Sequence, residues 1–93
     1  LGILTAEFRT NHGQFRVDGT VSPVSVPAAG GGFQANRVDV TLDGQEIGSA
    51  FADATGAWKV THTLAGDPAP IGGTVRAQSL SGTVALQALS IRN

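Results

Sequence analysis

Between residues 37 and 42 the chain reads Arg-Val-Asp-Val-Thr-Leu, and Asp43-Gly44 follows at once. Every second side chain is apolar. An extended strand sends successive side chains to opposite faces, so this spelling predicts a strand with one buried and one wetted face. Asp-Gly is the dipeptide that turns such a strand back on itself, because both residues tolerate positive φ. The same device recurs along the whole chain. Thirteen Gly and four Pro among 93 residues break it into short runs. The runs between these breaks are too short for helices and alternate with period two, the pattern of an all-β sandwich or barrel.

Seven strands are expected. The first, 2–10, turns Leu4, Ala6 and Phe8 inward. After the Asn11-His12-Gly13 turn, the second, 14–21, turns Phe15, Val17, Gly19 and Val21 inward, leaving Arg16, Asp18 and Thr20 in water. The third, 37–43, buries Val38, Val40 and Leu42, and the fourth, 45–52, buries Ile47. The fifth, 57–64, follows the Asp53-Ala54-Thr55-Gly56 turn and faces Trp58, Val60 and Leu64 inward. Trp58, the only Trp, is expected to fill a core otherwise made of Val, Ala and Leu, its N–H near the rim. The sixth strand, 73–80, buries Val75 and Ala77, and Ser81-Gly82 turns into the seventh, 83–92. That last run changes phase: Val84, Leu86 and Ala88 share one face, Leu89 and Ile91 the other. A bulge near Ala88, or an outer face covered by a neighbouring domain, would resolve it.

Two stretches are loops. In Ser22–Asn36, Pro23 and Pro27 exclude an interior strand and three consecutive glycines predict mobility. Residues 65–73, Ala-Gly-Asp-Pro-Ala-Pro-Ile-Gly-Gly, form the second.

Val-Asp-Gly-Thr-Val (17–21), Val-Asp-Val-Thr-Leu-Asp-Gly (38–44), the run from Ile47 to Val60 and Thr-Val-Arg-Ala-Gln-Ser (74–79) together resemble the bacterial immunoglobulin-like and fibronectin type III-like repeats of secreted and cell-surface proteins. The resemblance extends over nearly the whole chain. It implies an immunoglobulin-like β-sandwich of about seven antiparallel strands in two sheets, one domain over 1–93, and a fragment of a larger protein. It also implies an extracellular, cell-surface or periplasmic location and neighbouring domains of the same chain as partners. The sequence departs from the repeats in its long Ser22–Asn36 connection, in Phe51 where a small residue is common, and in Ser-Leu-Ser-Gly where an acidic turn is usual.

Composition narrows function further. Six Lys and Arg against seven Asp and Glu give a net charge of −1, which argues against nucleic acid and anionic lipid as partners. No apolar run is long enough for membrane insertion as a helix. The chain has no Cys, so it has neither disulfide nor thiolate metal site. Its two His residues, His12 in a turn and His62 in phase with the core, assemble no Ser-His-Asp arrangement with the outward acids. Glu7 and Asp18, interleaved with Arg9 and Arg16, read as a surface charge lattice, not as a hydrolytic pair. Asp53 paired with Asp43 or Asp67 does not converge on a cation, since their turns are expected at different ends. No catalytic, cofactor or metal residue is therefore expected.

Seven passes bring the termini out at opposite ends and gather Ser22–Asn36, Asp53–Gly56 and Ser81-Gly82 at the N-terminal end. If the domain has a binding end, it is this one. Phe33, Gln34, Asn36, Asp53 and Thr55 are its candidate contacts for a protein or glycan ligand. The leading expectation is a non-catalytic spacer, stalk or interdomain packing module; the alternative is an accessory binding module using the Ser22–Asn36 loop.

Overall fold

The computed structural model describes residues 1–64 and 70–92. Its strands are β1 (Gly2–Arg9), β2 (Gln14–Thr20), β3 (Ser25–Pro27), β4 (Phe33–Ala35), β5 (Arg37–Leu42), β6 (Gln45–Phe51), β7 (Ala57–Thr63), β8 (Thr74–Ser79), β9 (Val84–Ala88) and β10 (Ser90–Arg92). Helix is absent among the described residues. Two four-stranded sheets, ordered β10-β1-β2-β7 and β6-β5-β8-β9, carry the body, and β3 and β4 make a separate ribbon.

The alternation read from the sequence decides what lies between the sheets. Phe8, Phe15, Val17, Trp58 and Val60 from one sheet meet Val38, Val40, Ile47, Val75 and Ala77 from the other in one buried cluster. Val38, Val40, Val75 and Ala77 are wholly enclosed. The Phe8 and Phe15 rings lie 4.8 Å apart at 59°, the tilted geometry that aromatic pairs favour. Gly19 faces Trp58 across the β2–β7 pair. A Cβ there would meet the Gly2 carbonyl and lie 2.8 Å from Trp58 Cζ2. The indole thus occupies the space that the glycine leaves open.

The β5–β6 hairpin turns as Asp-Gly predicts, with φ of 49° at Asp43 and 87° at Gly44. Asp43 also fastens this turn to β8. Its Oδ1 accepts from Thr74 N at 3.1 Å, and its own N–H donates to Thr74 O at 3.1 Å.

Several expectations change. Leu4 points outward and is 75% exposed, because the β1–β2 register shifts between Ile3 and Thr5. A bulge there re-aims the side chain that strict alternation would bury. The last run is two strands. β9 pairs antiparallel with β8, and then the chain crosses to the other sheet, where β10 pairs parallel with β1. Leu89, at the crossing, turns into the core and donates its N–H to Gly73 O. The change of phase is therefore a change of sheet; neither a bulge at Ala88 nor a covering domain buries Leu89.

The stretch 22–36 is ordered as well. β3 and β4 pair in register Ser25↔Ala35 to Pro27↔Phe33. Ala28 and Gly32 close their turn, with Gly31 and Gly32 at φ of 94° and 72°. These glycines supply the positive φ of a tight turn, not a mobile loop. The Trp58 N–H, expected near a partner at the rim, is buried without one among the described residues. His62 stays exposed and stacks on Phe15, ring centroids 6.2 Å apart. Glu7 lies directly opposite Arg16, and Asp18 opposite Thr5. Glu7 is 92% buried beneath Arg9 Nε at 3.0 Å and Arg92 Nε at 3.2 Å.

Candidate functional site

The three connections expected at one end do meet there, and Asn36 joins them. This residue follows β4 and precedes β5, so it sits where the ribbon enters the body. Its N–H donates to Val24 O, and its carbonyl accepts from Ala52 N. Its side-chain Nδ2 donates to Pro23 O at 2.9 Å and to Ser81 Oγ at 3.1 Å. Backbone and amide together bind the ribbon to the end of β6 and to the β8–β9 turn. Asn36 is fully enclosed, and its Oδ1 has no partner among the described residues. It is a rivet between loops and presents nothing to a ligand from this position.

Ser81 continues the network. Ser79 Oγ lies 2.8 Å from Ser81 Oγ and 2.7 Å from Thr83 Oγ1, and accepts from Thr83 N at 3.1 Å. The hydroxyls of Ser79, Ser81 and Thr83 thus satisfy one another around this turn. Composition alone does not single them out. The signal is their spacing around Gly82, which takes φ of 97° in the turn.

The Asp53–Gly56 turn packs against Val21 and Val24. Asp53 Oδ1 accepts from Thr55 N at 2.8 Å, Thr55 Oγ1 at 2.6 Å and Ala57 N at 3.1 Å. These donors favour the charged carboxylate. They hold its pKa below the ordinary value of 3.8, the Thr55 hydroxyl contributing most, then the N–H groups of Thr55 and Ala57. Gly56 lets the turn press on β2: it has φ of 85°, its carbonyl accepts from Val21 N, and a Cβ would lie 2.6 Å from Val21 O. Asp53 and Thr55 are therefore occupied with each other, in an Asx-type turn.

The sign of the pH effect follows. A carboxylate lowered by folding stabilises the turn fully above its ordinary pKa, and that stabilisation is lost as pH falls through the folded value. Proton titration of Asp53 followed by NMR is expected to give a midpoint below 3.8 in the folded protein. Asp53→Ala should lower the melting temperature near neutral pH more than Asp53→Asn, which keeps an acceptor for the same N–H groups. Equal losses in the two variants would remove the hydrogen-bond account.

Phe33 and Gln34 stand apart from these bonds. Phe33 is 75% exposed on β4 opposite Pro27, and Gln34 is exposed beside it. No hydrogen bond among the described residues links either side chain to Asp53 or Thr55. The five expected contacts thus separate into an exposed pair on the ribbon, an exposed but internally bonded pair in a turn, and one enclosed rivet.

Two of the surface concavities bear on the expected residues. A groove of about 520 Å³ passes Leu4, Asp18, Phe51, Asp53 and Lys59. Phe51 is 62% exposed, and Leu4 reaches this groove only through its bulge, which no local sequence signal announces. At the far end, Phe15, Leu42, Ile47, His62 and Leu64 line a pocket of about 350 Å³. His62 makes its ring contact there with Phe15 and has no acid partner among the described residues. No group of three or more His, Asp or Glu among the described residues could hold a metal ion. Asp43 and Asp53 lie in turns at opposite ends, bonded to Thr74 and to Thr55; Asp67 lies outside the described residues. Comparison with family models, curated proteins and solved structures finds no match.

Proposed function

We propose that this chain is a non-catalytic immunoglobulin-like module, serving as a spacer, stalk or interdomain packing unit of a larger secreted or surface protein of bacterial type. The fibronectin type III-like reading rests on strand order. If the crossing run β9–β10 is counted as one strand and the ribbon as an insertion, seven strands remain, divided as the first, second and fifth against the fourth, third, sixth and seventh. Two packed sheets of antiparallel strands are the architecture such sandwiches share; the fourth strand lies here beside the third, and not with the first, second and fifth as in constant-type immunoglobulin domains.

The observation that carries the functional reading is the placement of the chain's ends. Gly2 pairs with Thr20 beside the Asp53–Gly56 turn, whereas Arg92 pairs with Arg9 at the other extreme of a body 43 Å long and about 22 Å wide. A unit entered at one end and left at the other spaces whatever flanks it. The side chains at the loop end are largely spent on one another, as Asn36, Asp53 and Thr55 illustrate.

The second reading, an accessory module that binds a protein or glycan ligand through the ribbon, is favoured by the exposure of Phe33. One experiment separates the two. In the full-length protein, the module is replaced by an unrelated sandwich of equal length, and in parallel Phe33→Ser and Gln34→Ala are introduced. A spacer tolerates both changes without loss of surface display or activity. Loss of target binding in the Phe33 and Gln34 variants, with the melting temperature unchanged, would establish the binding module and overturn the spacer.

A further inference from the structure

Among the described residues, Glu7 is the only charged side chain that folding encloses. A buried carboxylate is costly unless it is paired. Glu7 is paired twice: Arg9 Nε donates to Oε1 at 3.0 Å, and Arg92 Nε lies 3.2 Å from Oε2. Arg9 and Arg92 stand opposite each other on β1 and β10. Each guanidinium is thus held through its Nε, and the terminal amino groups of both have no partner among the described residues. Arg16, directly opposite Glu7 on β2, has no ion pair or side-chain hydrogen bond among the described residues. Directly opposed residues share a face of the sheet, so three guanidiniums gather around one carboxylate. A guanidinium fork with free amino groups matches the geometry of an oxyanion.

Beside this cluster is a concavity of about 250 Å³, lined by Leu4, Thr5, Glu7, Gln87, Ser90 and Arg92. It lies where the chain leaves β9 for β10 against the flank of β1. The side chains of Thr5, Gln87 and Ser90 make no hydrogen bond with another described residue. Their two hydroxyls and one amide can each donate and accept. Leu4, exposed through its bulge, adds an apolar rim. The volume lies below the roughly 300–1,000 Å³ of sites for drug-sized ligands, so it suits one ring and not a longer ligand buried whole.

We propose that this concavity binds one acidic sugar residue, a pyranose that carries a carboxylate or a sulfate. The acid group accepts from the terminal amino groups of Arg92 and Arg9, and Arg16 adds positive charge. Hydroxyls of the ring exchange hydrogen bonds with Thr5, Gln87 and Ser90, and its C–H face rests on Leu4. The choice of occupant follows from the two halves of the site. A bare anion would use the arginines and leave the neutral donors and acceptors idle. A neutral sugar would use those and leave the guanidinium forks empty. Nucleic acid and anionic lipid present many phosphates and call for an extended cationic surface, whereas the positive charge here is local on a chain of net charge −1. Glu7 acts as a positioning residue. It orders both forks before the ligand arrives and so spares the entropy of fixing two long side chains. The site lies on strands that do not pair with the β3–β4 ribbon. It therefore stands whether the chain is a spacer or binds through Phe33.

Titration of the chain with glucuronate and, separately, with glucose 6-sulfate tests it, at constant ionic strength. NMR follows the arginine Nε–H signals and the backbone amides of Thr5, Gln87 and Ser90. Saturable shifts at these positions are expected, and the tighter of the two sugars identifies the acid group. Glucose, acetate and inorganic sulfate should each bind at least about tenfold more weakly, the factor that losing a hydrogen bond to a charged group carries. Arg92→Gln and Arg9→Gln should each weaken binding of the acidic sugar by about tenfold. Arg37→Gln, the same change of charge on the other sheet, should leave it unchanged. Glu7→Gln makes the face more positive, which would strengthen a purely ionic attraction; loss of the fixed forks should weaken binding instead. Melting curves show which variants stay folded, and the two arginine variants, both partly in water, keep the test decisive if Glu7→Gln unfolds. No saturable shift, equal binding of acetate or sulfate, or arginine variants that bind like the parent would each overturn the site. Tighter binding by folded Glu7→Gln would overturn the role given to Glu7.

Discussion

Replacing Trp58 by Ala is expected to cost about 3–5 kcal/mol, the range for deleting a large buried aromatic side chain. The figure belongs at the upper end of that range for a specific reason. The indole lies against Gly19, which has no side chain to swing into the vacated space, and backbone on both strands fixes the width of the gap. The only term that eases the loss is the buried Nε1, which has no partner among the described residues and so already carries a desolvation penalty. Trp58→Phe should accordingly lose much less than Trp58→Ala, because it keeps most of the ring and removes the unpaired donor. Urea denaturation of the three proteins measures both differences. A near-neutral Trp58→Ala variant would mean that the indole is not part of the core.

Asn36→Asp should be nearly as damaging at neutral pH, by about 3–5 kcal/mol, the cost of leaving a buried charge without a partner. The substitution conserves shape and changes only the chemistry. The amide that donates to Pro23 O and Ser81 Oγ becomes an oxygen facing a carbonyl oxygen in a fully enclosed site. Burial and that carbonyl both favour the protonated acid, so the folded carboxyl titrates above its unfolded value. Its stability is then best below the unfolded pKa and is lost as pH rises through the folded one. The gap between Asn36→Asp and the parent protein should therefore narrow in acid. Denaturation curves at pH 7 and pH 4 test this, and a gap independent of pH would mean that residue 36 is not enclosed as described.

These two residues also mark how far the sequence could be read. Trp58 was legible because its inward phase is shared with Val60 and follows a recognisable turn; alternation is local, and local physics fixed its face. The same holds for Val38, Val40, Val75 and Ala77, each buried as spelled. Asn36 was legible only as a polar residue in a connection. Its role depends on Pro23 and Ser81, distant in sequence, and nothing in its neighbourhood reports them. Leu4 failed for a related reason. A bulge inserts one residue into one strand, and the need for it arises from the partner strand. The break at Leu89 could be seen as a change of phase, but a bulge and a change of sheet spell the same letters. The glycines at 30–32 were misleading in another way. Glycine permits both disorder and a positive-φ turn, and the short β3–β4 ladder selects the turn.

The parallel pairing of β10 with β1 has a mechanical consequence. The first strand begins at one pole of the molecule, and the last one ends at the other. Tension drawn between the poles slides these two strands lengthwise past each other, so their connections are loaded in shear and not peeled one at a time. The ladder from Glu7↔Ser90 to Arg9↔Arg92, the clasp of Thr10 N on Arg92 O and the Glu7–Arg92 ion pair all lie across that line of force. They must yield nearly together, which places the resistance of the whole fold to stretching in its shortest terminal strand.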